Sequence, residues 1–591
     1  MIRTQIPTIF KKRAPKHKPA PFLNAPAIDA SPYINIVPLG GMEEVGRNMT
    51  YFEYCDHKSP HNGEIIIIDM GLQFPEENMP GIDYVVPNVS SLVPKKDKIL
   101  GAIISHGHYD HIGAIPYINN KIGNPPIFTM PLTRGIILKR QEDFPHLPKL
   151  EIHQVSTEKP LKLGVFELEF FHVNHNIFDA VGTAVHSPVG TIIHTGDFKI
   201  DNNPVGDKPA DYAKMAALSQ KGITLLMSES TNAEKEGHSI SEGAIRADLE
   251  SIMEKSKGRV IVSTFSSLLS RVQQLVSLAE KYGRKVAFDG YSMKTNVAIA
   301  NELGYLKFKK ETLINVKDLD RYSPDKVMLI CTGAQGEGSA VLMRIAQKEH
   351  RFVKLREGDA VIFSSSVVPG NERGVQSLKD VIYRQDAKVY HYQMMDIHAG
   401  GHGRAEDLKM MISLMHPKFF MPIYGNYYML RLHAELAETV GIPKENMVIP
   451  SNGSVVKLSK DKIQLTNQTV DSSYVMVDGL GIGDVQEVVL RDRQMLSEDG
   501  IFVIIAAVDS STGKVKGSPD IISRGFVYLR ESKELLKSAR IITRKVIEEA
   551  TANMHPVNWD YIKNSVRDRV GKFLFQKTSR RPMVLPVVIE V

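Results

Sequence analysis

Cysteine is nearly absent from this 591-residue chain: only Cys55 and Cys331 occur. Two thiols build neither a disulfide framework nor a thiolate zinc site, and such sparing use suits a reducing, cytoplasmic setting. Long apolar runs are missing too. None approaches the roughly 20 residues that a membrane helix needs, so no membrane partner is expected. The opening stretch MIRTQIPTIFKKRAPKHKPAP lacks an apolar segment followed by a small-residue cleavage site, which argues against a secretory signal. Neither sign of charge dominates. With 73 Lys and Arg against 67 Asp and Glu, the net charge is +6. A nucleic-acid partner would then be held by local basic patches, not by a global field.

The positive excess is concentrated at the start. Arg3, Lys11, Lys12, Arg13, Lys16 and Lys18 face a single acid, Asp29. Residues 1–31 are also rich in Pro and Ala and read as a disordered basic tail, either a solubilising extension or an arm that attracts RNA. Ordered sequence is expected from about Tyr33. INIVPLGG, GEIIIIDMG, LGAIISHGH, FELEFFHV and GTIIHTGD read as strands ending in turns. Strands then alternate with helices through ITLLMSES, GRVIVSTF, RKVAFDG, VMLICTGA and DAVIFSSS, an α/β pattern with mostly parallel strands. A polar, Gly-rich linker is placed at 461–484, and residues 485–591 read as a compact α+β terminal domain.

The strongest chemical signal is His106-Gly-His108-Tyr-Asp110-His111. An apolar strand delivers the first His. Histidines at i and i+2 in extended backbone can point the same way, and Asp110 and His111 open a helix. Imidazole and carboxylate without thiolate suit Zn²⁺ or Mn²⁺ in a hydrolytic site that keeps an open position. His175, in FFHVNHNIFD, and Asp197, in IIHTGDFK, both follow apolar strands, where catalytic groups gather in α/β sheets.

In this order, Asp69, His106/His108/Asp110/His111, His175 and Asp197 resemble the metallo-β-lactamase superfamily. PLGGMEEVGRNM, CTGAQGEGSA, SSSVVPGNE and DIISRGFVYLRE resemble ribonuclease J, a family of β-CASP nucleases, from about residue 32 to 591. The resemblance implies an αββα sandwich with an inserted β-CASP α/β domain and a small α+β C-terminal domain. The nuclease domain is placed at 32–225, the insertion at 226–375 and the nuclease return at 376–460. It further implies a metal-dependent ribonuclease, a 5′-to-3′ exonuclease and endonuclease acting in RNA decay and maturation.

The same resemblance suggests roles. His106, His108 and His175 would hold one metal, Asp110 and His111 a second, and Asp197 would bridge them, with Asp69 in support. Zn²⁺ is expected, one or two per chain, with Mn²⁺ or Mg²⁺ as substitutes. Glu229, in SESTN, and His402, in IHAGGHG, would protonate the leaving oxygen. His398, Ala399, Gly400, Gly401 and His402 would contact RNA, and Ser364, Ser365 and Ser366 would seat a 5′ monophosphate. Gly81, Asp83 and Asp478 resemble a structural calcium site. The partners implied are single-stranded, 5′-monophosphorylated RNA and further copies of the chain, in a homodimer or homotetramer.

Three departures from the family pattern stand out. KFFMPIYGNYYML carries Tyr424 where motif C has a His. A neutral phenol, with a pKa near ~10, ligates poorly at neutral pH. Either a metal lowers that pKa, making Tyr424 a replacement ligand, or the second position is weakened or empty. TFSSLLSR has Leu268 and Ser270 where Asn and His are usual, and Gly400 replaces a Ser. These changes leave a second reading open: a weakly active or inactive paralogue serving as the RNA-binding subunit of a complex.

Overall fold

The computed structural model describes residues 31–591 except 77, 337, 339, 366, 368–370, 392–393, 395–398, 480, 484–486, 528–531 and 553–556. The basic tail, Ser366 and His398 therefore lie outside the described residues. Two sheets face each other. One has eight strands, in the spatial order Ile463–Thr469, Ser454–Leu458, Tyr33–Gly40, Met49–Cys55, Ile65–Ile68, Ile99–Ile103, Ile127–Thr129 and Ile152–Gln154. The other has six, running from Phe419–Ile423 through Leu225–Glu229, Gly190–His194, Val181–Ser187 and Phe166–His172 to Leu161–Leu163.

Period-two alternation explains how the sandwich is filled. In the run Ile65–Ile68, Ile66 and Ile68 face the second sheet, where they join Phe170, Val185, Met227 and Met421. Ile65 and Ile67 face the other way, under Ile115, Ile118 and Leu132. The opposite sheet does the same: Leu225 and Met227 point inward, while Leu226 packs with Leu408, Met411 and Ile412 of the helix Ala405–Met415. Strands apolar on both faces need helices outside both sheets, which yields the expected αββα layering.

Between the two halves of this sandwich the chain builds a separate, all-parallel sheet. Its order is Lys285–Asp289, Val327–Cys331, Val260–Ser263, Ala360–Phe363 and Lys388–His391. The helix Glu242–Lys255 opens this inserted layer. Two boundaries differ from the sequence reading. The cut at 375 falls within the helix Glu372–Tyr383, and the strand Lys388–His391 still pairs with Ala360–Phe363, so the insertion runs on to His391. The stretch 461–484 is not a free linker either. Ile463–Thr469 is the edge strand beside Ser454–Leu458, and Val475–Asp478 pairs with Tyr84–Val86. The polar side chains of the edge strand Ile463–Thr469 hid its pairing, and Val475–Asp478, the middle strand of a small three-stranded sheet, finds its partner Tyr84–Val86 far off in sequence.

The C-terminal domain is a three-stranded sheet, with Ile501–Val508 between Val515–Arg524 and Met583–Glu590. Helices Lys533–Thr551 and Trp559–Thr578 cover one face through Phe502, Ile504, Leu536, Ile547, Ile562 and Val566. The other face leaves Leu585, Val587 and Ile589 exposed beside the half-buried Val503 and Ile505. Among the described residues no helix is long and apolar enough to cross a membrane.

Candidate metal centre

Six residues singled out in the sequence arrive at one edge of the sandwich because each ends or closely follows a strand. Asp69 follows Ile65–Ile68, His106 follows Ile99–Ile103, and His175 follows Phe166–His172. Asp197 follows Gly190–His194, Glu229 closes Leu225–Glu229, and Tyr424 follows Phe419–Ile423. His108 caps the short helix Tyr109–Ile112, which carries Asp110 and His111.

The histidines touch. His108 Nδ1 lies 3.0 Å from His106 Nε2 and 3.1 Å from His175 Nε2. Asp197 Oδ2 lies 3.3 Å from His111 Nε2, 3.9 Å from His106 Nε2 and from His175 Nε2, and 3.8 Å from His402 Nδ1. Three sets have donor atoms within 4.8 Å of one another: His106/His108/His175, His106/His111/Asp197 and His175/Asp197/His402. His175 Nδ1–H donates to the Gly401 carbonyl at 2.7 Å, which turns its Nε2 toward the cluster. Only glycine fits at 401, since a Cβ there would come within 2.5 Å of the His175 ring.

Electrostatics favours ligation. Burial, followed by the neighbouring imidazoles, holds His106 and His175 well below the usual histidine range, and burial takes His108 down to about 4. All three present neutral lone pairs. Asp197 Oδ1 is buried and has no hydrogen-bond partner among the described residues. Such an atom costs free energy unless something binds it. Neutral imidazoles around an unsatisfied carboxylate oxygen fit a divalent cation.

The second position is differently furnished. Burial opposes charge on His111, but Asp197, Asp110 and Asp69 outweigh it and raise its pKa well above the usual value. Asn48 Nδ2 lies 2.9 Å from His111 Nε2 and 3.3 Å from Asp110 Oδ2, so an amide occupies the space between these two residues. The Tyr424 hydroxyl lies 3.1 Å from Asp69 Oδ2 and 3.1 Å from His194 Nε2. Gly196 N–H donates to His194 Nδ1 at 3.1 Å, which leaves the His194 proton on Nε2. That nitrogen donates to Tyr424, and Tyr424 donates to Asp69. Burial, then Asp69 and Asp197, push the Tyr424 phenol well above its ordinary value. The Tyr424 oxygen is thus engaged on both sides by protein groups. Asp69 also accepts from Ser105 N, Ser105 Oγ and His111 Nδ1, at 2.8–2.9 Å. Both Asp69 and Tyr424 sit at positive φ, 61° and 57°, strain that this network holds in place.

Glu229 and His402 meet as the motifs suggest. His402 Nδ1 is 3.1 Å and 3.2 Å from the two Glu229 oxygens. Burial works against charge on the imidazole, yet Glu229, Asp197 and Asp110 raise its pKa to about 9. Ala399 and Gly401 are buried beside this loop and Gly400 is exposed. Ser364 and Ser365 are buried at the end of Ala360–Phe363, with the Ser364 hydroxyl on Arg271 and Ser365 Oγ 3.3 Å from Gln335 Nε2. Leu268 belongs to the apolar interior.

The expected calcium position needs correction. Arg493 Nη1 donates to the Gly81 carbonyl at 3.1 Å and to the Pro80 carbonyl at 3.4 Å, and Nη2 pairs with Asp478. Asp83 Oδ2 instead accepts from Gly479 N–H at 2.8 Å. A guanidinium thus meets the Gly81 carbonyl and the Asp478 carboxylate, two of the three groups assigned to the ion.

Three contributors escaped the sequence reading: Asn48, Ser105 and His194. Ser105 and His194 could have been found, since each adjoins a ligand motif at a strand end. Asn48 gives no such signal. It is delivered by the loop 40–48, pinned by a buried Arg47–Glu44 pair at 2.9 Å.

Three family descriptions match this chain: a beta-lactamase superfamily domain over residues 80–249, a ribonuclease J beta-CASP domain over 257–382, and a ribonuclease J C-terminal domain over 488–591. Ribonuclease J 1 of Streptococcus pyogenes is 40% identical over 94% of this chain and 97% of its own length. The chain belongs to the ribonuclease J family. Other members include Ribonuclease J2 of Bacillus subtilis, 34% identical over 94% of this chain and 99% of its own, and Ribonuclease J 2 of Staphylococcus aureus, 35% identical over 94% and 98%. A crystal structure of an Enterococcus faecalis protein of unknown function shares the fold. Its TM-score is 0.53 at 18% identity, over 72% of this chain and all of that one.

Proposed function

We propose that this ribonuclease J family member hydrolyses RNA phosphodiester bonds at one divalent metal, held by His106, His108, His175 and Asp197. The observation that carries this reading is the convergence of three neutral imidazoles on a carboxylate whose second oxygen has no partner among the described residues. A cation bound there supplies Lewis-acid activation of water and stabilises charge on the phosphoryl oxygens. Zn²⁺ suits the nitrogen-rich donor set, with Mn²⁺ as a substitute. The second position of the family is occupied by protein groups, the Asn48 amide and the committed Tyr424 hydroxyl, so one metal per chain is expected.

The remaining chemistry falls to the chain's own side chains. His402, protonated below about pH 9, gives its proton to the leaving 3′ oxygen, and Glu229 orients it. The exposed Gly400 lets the RNA backbone approach closely. The substrate is single-stranded RNA, 5′-monophosphorylated, cut from the 5′ end and internally. The uncovered apolar face of the C-terminal sheet supports a homodimer or larger homo-oligomer, because a surface of that character is normally covered.

Cleavage of a 5′-monophosphorylated RNA by the purified protein, with and without a chelator, tests the reading. Activity is expected to vanish on metal removal and to return with zinc or manganese. Cleavage indifferent to chelation would sink it, and so would RNA binding without cleavage under any metal. The pH profile gives a second expectation. The rate falls as pH rises through about 9, where His402 loses its proton. Glu229 is among the groups that raise this pKa, so Glu229→Gln moves the alkaline limb to lower pH. An unmoved limb assigns the proton to another group.

A further inference from the structure

Two loops carry metal-centre residues but are gripped from outside the nuclease sandwich. The first is Asn176–Asp179, directly after His175. Phe178 stacks on Tyr305 of the inserted domain, with ring centroids 5.7 Å apart and planes 17° from parallel. The Tyr305 hydroxyl donates to Asp179 Oδ2, and the same oxygen accepts from Leu132 N–H at 3.0 Å. Asp179 holds φ at 63°, a conformation costly for a non-glycine residue unless its surroundings fix it.

The second loop is Gly196–Lys199, which carries Asp197. Lys199 N–H donates to the Asn174 carbonyl at 2.7 Å, tying this loop to the residue before His175. The Lys199 side chain is 1% exposed, and its ammonium makes no hydrogen bond to a described residue. It sits 3.5 Å from Asp201 Oδ2 and 3.6 Å from Glu242 Oε1. Glu242 is the first residue of the helix Glu242–Lys255, and Arg271 Nη2 holds its other oxygen at 2.8 Å. Residues of both loops line one small, partly open cavity. Its walls include His175, Phe178, Lys199 and Asp201, and Glu242 and Ser270 close it from the inserted domain.

We propose that the inserted domain sets the ligand geometry of the metal centre, with Tyr305 and Glu242 as positioning residues. Tyr305 acts on His175 through Asp179, and Glu242 acts on Asp197 through Lys199. The proposal rests on the metal-site reading above. The physical argument concerns tolerance. A donor shifted by a few tenths of an ångström no longer meets its ion, and outer partners that fix ligand orientation are worth about 10–100-fold in metal affinity or rate. His175 and Asp197 stand on loops, not on strands, so their own sheets do not hold them alone. The contacts that complete their positions come from a domain that adds no ligand of its own.

Tyr305→Phe removes a single hydroxyl at a half-buried position and keeps the ring stack. Glu242→Gln removes the charge facing Lys199. Ile299→Ala serves as the control. It loosens the same interface, where Ile299 packs against Gly135, and removes none of the polar contacts that Tyr305 and Glu242 make. Zinc affinity is measured by competition with a chromophoric chelator, alongside kcat, KM and melting temperature. Tyr305→Phe and Glu242→Gln are expected to weaken zinc binding about tenfold and to lower kcat, with KM within about twofold of the parent. Ile299→Ala is expected to lower the melting temperature with zinc affinity unchanged. The proposal is overturned if Tyr305→Phe binds zinc as the parent does, or if Ile299→Ala weakens zinc equally. Should Glu242→Gln fail to fold, Tyr305→Phe decides. A parent protein that binds no zinc overturns the metal-site reading itself, an outcome separate from intact binding in the variants.

Discussion

Asp197→Ala is expected to abolish RNA cleavage, with a loss of about 10³-fold or more. The reason is geometric. Oδ2 of this one residue lies within 4 Å of nitrogens from His106, His111, His175 and His402. Removing it takes away the only carboxylate among the proposed ligands, leaving three imidazoles and a half-formed site. It also takes away one of the acids that keep His402 charged. Metal binding and proton donation should therefore fail together. Total zinc per chain, read by elemental analysis, should fall with activity, while affinity for RNA measured in chelator should hold within a few-fold. A variant that cleaves at the parent rate would exclude Asp197 from the chemistry.

The second large effect runs the other way. Tyr424→His is expected to raise metal content from about one to about two per chain and to raise the cleavage rate about tenfold or more. The sequence shows why this position matters, and the structure shows what the tyrosine does instead. Its hydroxyl bridges His194 and Asp69, so replacing it breaks two buried hydrogen bonds, roughly 1–3 kcal/mol each if left unmet. An imidazole in its place offers a neutral nitrogen at the strand end beside His111. The Asn48 amide must then withdraw from His111 Nε2. The pair Tyr424→His with Asn48→Ala should therefore gain the second metal more readily than Tyr424→His by itself. Two metals already present in the parent, or one metal retained in both variants, would remove this account of Tyr424.

Most of the centre was legible from the chain because its residues occupy strand ends. An apolar run that stops at a His or Asp announces both the strand and the donor, as with His106 and Asp197. The sandwich and the parallel inserted sheet were legible for the same reason, since buried strands write themselves as unbroken apolar runs. The misses share a different cause. Asn48 lies in a loop whose course depends on the Arg47–Glu44 pair, and no local pattern encodes that. Lys199 looks like an ordinary surface lysine after a Gly-Asp turn, yet it is buried beside Asp201 and Glu242, the latter 43 positions away. Ile463–Thr469 is a polar edge strand, and Val475–Asp478 is a short strand whose partner Tyr84–Val86 is distant in sequence. The calcium expectation did not foresee that Arg493 brings its own positive charge to the Gly81 carbonyl and to Asp478.

That last exchange affects how the molecule is held together. Arg493 lies in the helix Glu487–Asp499, which leads into the C-terminal domain, while Gly81 and Asp478 belong to the region beside the nuclease sandwich. An inorganic ion at this joint would come and go with its supply and could be stripped by any stronger chelator. A guanidinium is covalently part of the chain and stays protonated across the whole physiological range. The bond between the two regions is therefore made once, at folding, and draws on no mineral pool thereafter.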